Sequence, residues 1–566
     1  MLRELDVLVL DCQASGATPS HGDLLEIGWA VSGARGLVIP PRARWIVPRT
    51  DRAVSRIVRK LTGWEDACLD EAVEPRDAWA ELRADAPGSA SSPTVIHFAR
   101  FELPFLRELH AREQSDAVEA APFPFDTVCL HAIAQRLFPE LPRRNLRALA
   151  GYLGHSPEQI RRSAGHVEAT AFIWRALVPK LEALDVRTWD DLKVWLEAPS
   201  PPSRSRGAGR VYPLAAERRR GLPDAPGVYR FLRSNGDVLY VGKAASLKKR
   251  VASHFKSAAR STERALEMLT QAHDVDVTEA ATALEAALLE TDEIKRLDPP
   301  YNVHLRGGDR QAWFASHDWS SAVAFSDADH RVGPLPSCAS VAGIGAMRAL
   351  LEGEPPTEAL RAVALGVSPR FAPEAAMFDE AWMAFAREHL AGAMPARARI
   401  LRAAACIVLD DDAADEAPDA EPVADADADA APGPEGWDRE AVTRALQRTV
   451  VHQGLLVRRA RALTLLSNAS VAFREPRSTR TRLLVVVRGE IAERFDIDSV
   501  SHVAFREPVA PPPRDARLAA FDAALYDRLR VLATELRRVV DHGGAVAIRI
   551  GRHLGARTAP PADRRA

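Results

Sequence analysis

Cysteine and long apolar runs are both scarce in this chain of 566 residues. The five cysteines, Cys12, Cys68, Cys129, Cys338 and Cys406, are scattered and form no C-x-x-C pair. Neither a zinc site nor an iron–sulfur cluster is indicated, and reduced thiols fit the cytosol. No apolar run approaches the ~18 residues that a membrane-spanning helix needs. The first residues also lack the basic-then-apolar order of a secretory signal. The expectation is a soluble, cytoplasmic protein with no membrane partner. Low-complexity tracts aside, there is no internal repeat.

Net charge is also small, at −2, but it is unevenly spread. Residues 408–435 hold eleven acidic side chains and no basic one, which leaves the rest of the chain net positive by nine. Basic residues gather at Arg204, Arg206 and Arg210, at Arg218–Arg220 and at Lys248–Arg250. Such clusters suit phosphate contact, and an ordinary solvated surface is the alternative.

What is present falls into blocks. Residues 1–195 open with strand-like runs at 6–10, 24–31, 36–39 and 44–47. A further strand at 94–97 precedes helical spacing near 100–112, 128–138, 145–153 and 165–183. That order predicts a mixed sheet flanked by helices. A Pro/Ser/Arg/Gly-rich linker covers 196–212. Residues 213–310 form a second block, with strands expected at 227–233, 237–242 and about 273–279 and helices near 246–256, 262–272 and 281–296. A mainly helical extension is expected at 311–407. The Ala/Asp/Pro-rich stretch 408–436 has the composition of a disordered spacer. The last block, 437–566, has strands near 470–473 and 483–487 and a long helix at about 515–541, an α+β pattern. The fold class is therefore multidomain α/β.

The densest signal lies at 226–243. Two short strands, each with a tyrosine (Tyr229 and Tyr240), flank Asn235-Gly236, and Lys243 follows the second strand. Asn-Gly between alternating apolar residues predicts a two-residue hairpin turn of type I′. Downstream come Leu247-Lys-Lys-Arg-Val251, an apolar helix reaching Glu290, and Pro300-Tyr-Asn302. Over about 213–310 this pattern resembles the GIY-YIG nuclease domain found in the incision subunit of bacterial nucleotide-excision repair and in its shorter homologue Cho.

The resemblance implies a small three-stranded α/β domain that hydrolyses DNA with one divalent metal, Mg²⁺ or Mn²⁺. By its motif positions Glu290 matches the metal-binding carboxylate. Arg250 matches the arginine that clamps the scissile phosphate, where a planar guanidinium is apt. Tyr229 is the candidate general base. A free tyrosine titrates near ~10, so it needs a neighbouring cation such as Lys243 or the metal. Tyr240 is a supporting hydrogen-bonding group, and Asn302 orders the site. One departure stands out: Ser253-His-Phe255 replaces the usual Ser-Tyr-Phe. His254 can hydrogen-bond or shuttle protons, or simply sit on the surface.

Leu10-Asp-Cys-Gln-Ala-Ser-Gly16, His97-Phe-Ala-Arg-Phe-Glu102 and Arg161-Arg-Ser-Ala-Gly-His166 follow one another in an order that, over residues 5–183, resembles the DEDDh 3′–5′ exonucleases, the family of the proofreading epsilon subunit of DNA polymerase III; this implies an RNase H-like sheet. That family binds two metals through four carboxylates and uses a histidine base. Here Asp11 is kept, but Gln13 replaces a glutamate and Glu102 an aspartate. Arg161 aligns with the histidine and His166 with the last aspartate. An alternative alignment pairs Ser163 with the histidine and Glu168 with the aspartate. Two carboxylates cannot balance two divalent cations, and an arginine cannot accept a proton. The expectation is a degenerate exonuclease module that binds DNA or a partner, attached to a DNA-repair endonuclease served by damage-recognition proteins. A dual nuclease and a non-cutting DNA-binding scaffold are the alternatives.

Overall fold

Continuous apolar runs near the start of the chain build a five-stranded sheet. The computed structural model describes residues 1–50, 53–88, 91–114, 121–155, 161–199, 211–256, 262–302, 311–409, 436–476, 478–500 and 511–551. The linker expected at 196–212 and the acidic tract at 408–436 lie almost wholly outside these residues. Strands β1 (Val7–Ala14), β2 (Leu24–Gly33), β3 (Gly36–Trp45), β4 (Ser92–Ile96) and β5 (Phe125–Cys129) pair in the order β3-β2-β1-β4-β5. The first three are antiparallel; β4 and β5 run parallel to β1. This is the RNase H-like arrangement expected for the first block.

Both faces of the sheet are covered, which explains its nearly unbroken apolar strands. Val7, Val9 and Val95 pack beneath the helix Ser163–Glu182, while Leu8, Leu10 and Ile96 pack with Leu106 of the helix Ala99–Glu113. Two expectations change here. The separate strands at 36–39 and 44–47 are one strand, because β3 is an edge and tolerates Pro40-Pro41. The start of the helix expected at 128–138 belongs instead to β5.

The chain divides into two compact units: Met1–Ala280 with Pro299–Val303, and Ala281–Asp298 with His304–Ala566. In the first unit a second sheet follows, with order β7-β6-β8, from β6 (Gly227–Leu232), β7 (Val238–Ala244) and β8 (Asp274–Glu279). The helices Leu247–Lys256 and Glu263–Gln271 accompany it. The latter meets the helix Leu146–Tyr152 of the first block through a largely polar seam. Asn145 Nδ2 donates to Glu267 at 2.7 Å, Tyr301 Oη donates to the same carboxylate at 2.5 Å, and Tyr152 stacks on His273 at 5.4 Å. Gly151 lies so close to Gln271 that a Cβ would sit 1.9 Å from its Oε1.

The second unit contains a small sheet of order β10-β9-β11, from β9 (Trp313–Ser316), β10 (Ala322–Val323) and β11 (His330–Leu335). These strands stand in the region expected to be mainly helical, and among the described residues five α-helices between Ala342 and Leu466 follow them. The longest, Arg439–Leu466, leads into an antiparallel sheet of order β14-β13-β12-β15: β12 (Ala469–Arg474), β13 (Thr481–Val487), β14 (Glu490–Ile497) and β15 (Ala545–Ile550). The long helix expected at 515–541 is two, Arg514–Ala519 and Ala523–Asp541. The helix Ala283–Leu297, which carries Glu290, belongs to this unit and is ion-paired to it through Lys295–Asp527 at 2.6 Å and Arg528–Asp292 at 2.8 Å. Among the described residues no helix is long and apolar enough to cross a membrane.

Candidate active site

Tyr229 is wholly buried, and its place is fixed by the register of the hairpin. It lies opposite Gly242, so the ring crosses the β7 backbone where any Cβ would approach the phenol oxygen to 2.6 Å. The glycine is therefore a requirement of the tyrosine. Phe231, on the same face of β6, packs edge-on at 5.4 Å, and Tyr240 lies 6.0 Å away. Burying each large ring of this cluster is worth about 1.5–3 kcal/mol.

Tyr229 Oη is 2.7 Å from His254 Nε2. The histidine is half-buried on the helix Leu247–Lys256, one turn beyond Arg250. Burial, reinforced by the Arg250 charge, lowers its pKa to about 4. His254 is therefore a neutral imidazole near pH 7 and can accept a hydrogen bond from the phenol. It is the direct partner of Tyr229, not the surface residue that the sequence left open. The i, i+4 spacing from Arg250 was the available signal, since it puts both side chains on one helix face.

Asn302 is buried and grips Val241 at two points: Oδ1 accepts from the Val241 amide at 3.0 Å, and Nδ2 donates to its carbonyl at 2.9 Å. Because β7 is an edge strand, this clamp supplies the partner that a further strand would have given. Arg250 is exposed, and Lys243 is half-buried opposite Val228. Glu290 is half-buried in the second unit.

The cleft of the five-stranded sheet has different chemistry. His166 Nδ1 stands 3.1 and 3.2 Å from the two oxygens of Asp11, so an imidazole occupies the face where a cation would need the carboxylate. Glu102 is buried and accepts from the Cys12 amide at 3.1 Å. Burial, then the nearby Asp11, holds its carboxyl well above the usual range. Gln13 Nε2 donates to the Arg161 carbonyl at 2.5 Å. Arg161 itself is exposed. Sequence reasoning missed Glu26, a fully buried carboxylate paired in register with Gln13; it is taken up by Arg162 and by the Ser163 amide at 2.7 Å. The alternative alignment loses ground here. Glu168 lies two residues past His166, about 200° around the helix, and is exposed.

Among the described residues no group of three His, Cys, Asp or Glu side chains could hold a metal ion. In the cleft, Asp11 faces His166 and Glu102 faces the Cys12 amide. A single Mg²⁺ needs only one or two carboxylates because it keeps several waters, and Glu290 suits that requirement.

Burial and the neighbouring Asp11 raise the Glu102 pKa, so the folded chain binds that proton more tightly than the unfolded chain, and stability falls as pH rises above the free glutamate range. Glu102→Gln keeps an acceptor for the Cys12 amide and removes that dependence. Its thermal midpoint at pH 7 should match or exceed the parent's by about 2–4 °C, measured by calorimetry across pH 5–8. A large loss at pH 7 would mean that the carboxylate is charged and needed.

Residues 225–303 match the model of the UvrC-like GIY-YIG domain. This segment is a UvrC-like GIY-YIG domain. A UvrABC system protein C of Alkalilimnicola ehrlichii is 43% identical over 125 residues, 21% of this chain and 20% of that protein. A Mycobacterium tuberculosis protein provisionally named a bifunctional exonuclease/endonuclease is 29% identical over 364 residues, 62% of this chain and 53% of that protein. The chain thus spans about half the length of the mycobacterial relative and a fifth of the other. The magnesium-bound GIY-YIG N-terminal endonuclease domain of UvrC from Thermotoga maritima is 31% identical, covering 15% of this chain and 93% of that one with a TM-score of 0.14.

Proposed function

We propose that this chain is a divalent-metal-dependent DNA endonuclease whose GIY-YIG domain makes the cut. On this reading the block 1–195 is a degenerate exonuclease module that binds and positions DNA. The observation that carries it is the Tyr229–His254 pair inside a UvrC-like GIY-YIG domain. A phenol is a poor base unless its own proton has somewhere to go. With the other ring nitrogen protonated, His254 Nε2 accepts the phenol's hydrogen bond and aims the Tyr229 oxygen; once the phenol proton has left to solvent, the phenolate draws a proton from the attacking water. Arg250 holds the phosphate oxygens, Lys243 favours the phenolate, and Tyr240 hydrogen-bonds within the site. Asn302 keeps β7 in place through Val241. When bound through Glu290, a Mg²⁺ or Mn²⁺ ion stabilises charge on the phosphate and the leaving oxygen.

The polar seam at Glu267 supports a positioning role for the first block. Tyr301, which donates to Glu267, directly precedes Asn302 in the chain. The biological setting we infer is nucleotide excision repair in the cytoplasm, with damage-recognition proteins as partners. The name of the mycobacterial relative favours a second reading, in which the first block still trims 3′ ends. The His166–Asp11 contact and the burial of Glu102, which raises its pKa, weigh against it.

Chelation tests the metal requirement. EDTA should abolish nicking of supercoiled and lesion-bearing duplex DNA, and excess Mg²⁺ or Mn²⁺ should restore it. Nicking that survives chelation would remove the one-metal reading.

A further inference from the structure

We propose that the last block holds a phosphate-recognition pocket that takes one nucleotide of a DNA strand. Residues 437–566 carry 24 arginines and no lysine against 14 aspartates and glutamates, an excess of the side chain best shaped for phosphate. Between the β13–β14 turn and the helices Arg514–Ala519 and Ala523–Asp541 lies a cavity of about 440 Å³. That volume is typical of small-molecule sites. Arg488, Arg517, Asn468 and Ser467 line it, and Leu525 with several alanines supplies an apolar floor. The composition matches a nucleotide: guanidinium groups for the phosphate and an apolar surface for sugar and base.

Three further observations point to a built site. Arg488 and Gly489 alone connect β13 to β14, both with positive φ (52° and 79°). This is the type I′ turn, whose first position normally takes Asn, Asp or Gly. An arginine there carries a backbone cost, which is characteristic of functional positions. The turn is also braced: the Arg488 amide donates to Asn468 Oδ1 at 3.2 Å and the Gly489 amide to the Ser467 carbonyl at 2.7 Å. Finally, among the described residues no carboxylate pairs with Arg488 or Arg517. Arg517 donates to the Thr464 carbonyl at 3.2 Å, and its Nε is buried without a partner.

The choice of a nucleotide over other anions rests on the DNA-acting reading above, but binding can be measured without cleavage. The experiment titrates the full chain, in EDTA, with deoxyadenosine monophosphate, inorganic phosphate and a short single-stranded oligodeoxynucleotide. The parent is compared with Arg488→Asn and Arg517→Gln, and with Arg537→Asn as a charge control on an exposed helix position. The pocket variants should weaken nucleotide binding about tenfold. Arg488→Asn should do so with an unchanged or higher thermal midpoint, because asparagine suits the turn, and the control should bind as the parent does. Competition between oligonucleotide and mononucleotide identifies the strand as the source; mononucleotide binding without competition identifies a free nucleotide. Either result supports the pocket. Phosphate binding alone, or equal losses in the control, overturns it. Failure to incise DNA would leave this result untouched, so the two readings fail separately.

Discussion

Tyr229→Phe should lower the incision rate about 10²–10⁴-fold with little change in substrate affinity, the usual range for losing a positioned proton-transfer group. The substitution removes one oxygen. The ring remains packed on Phe231 and over Gly242, so the fold should persist. If the phenol works through its neighbour, His254→Ala should lose a comparable factor, and the double variant should lose little more than either alone. The pH profile adds a sharper criterion. His254 titrates near 4, so the neutral imidazole is fully present from about pH 5 upward. The rate should therefore show no acid limb near 6.5. The linkage has a definite sign. Between about pH 6.5 and 4 the unfolded chain binds a proton that the folded chain refuses, so the parent loses stability as pH falls through that window. His254→Phe should make this slope shallower by one proton, leaving the part that the buried His97 contributes.

Glu290→Gln should reduce incision by about 10³-fold or more under saturating Mg²⁺, since a neutral amide is a weak ligand for a hard cation that relies on few protein donors. Glu290 is half-buried on a helix held by Lys295–Asp527 and Arg528–Asp292, pairs that the substitution leaves in place. The thermal midpoint should then shift by no more than about 2 °C. A folded Glu290→Gln protein that cuts at the parental rate would exclude this carboxylate from metal binding. Arg250→Lys separates charge from shape. Loss of the planar fork should cost about 10–100-fold even though the charge is retained.

Much of this site was legible because its chemistry is compressed into one hairpin and the helices that follow. The three strands and three helices of that region run close to their expected bounds. The turn is the exception. Asn235-Gly236 was expected to form a two-residue I′ turn. Instead Gly236 donates to Arg233 and Arg233 to Asp237, and of the pair only Gly236 has positive φ, at 90°. That is a type I turn closed by a glycine bulge, which the same dipeptide also permits. The true I′ turn, Arg488-Gly489, went unrecognised because arginine hid it.

Other misses have physical causes. His254 looked like an isolated departure because hydrogen bonding across 25 residues leaves no local signal. Glu26 was missed because its partners, Arg162 and Ser163, lie more than 130 residues away. The β9–β11 sheet has strands of two to six residues, too short for periodicity to register. The departures of the first block from the exonuclease pattern, Gln13, Glu102, Arg161 and His166, were by contrast readable from residue identity alone. The structure adds their surroundings, a histidine on Asp11 and a buried Glu102 whose pKa is raised.

The most direct test of the account uses duplex DNA labelled at both 5′ and 3′ ends, bearing a lesion or a flap. It is incubated in Mg²⁺ with the parent chain, Glu290→Ala or Asp11→Ala, and product lengths are resolved. The account predicts internal incision by the parent and by Asp11→Ala, no incision by Glu290→Ala, and no stepwise shortening from the 3′ end by any of them. Release of 3′ nucleotides that disappears in Asp11→Ala, or incision that persists in Glu290→Ala, would contradict it.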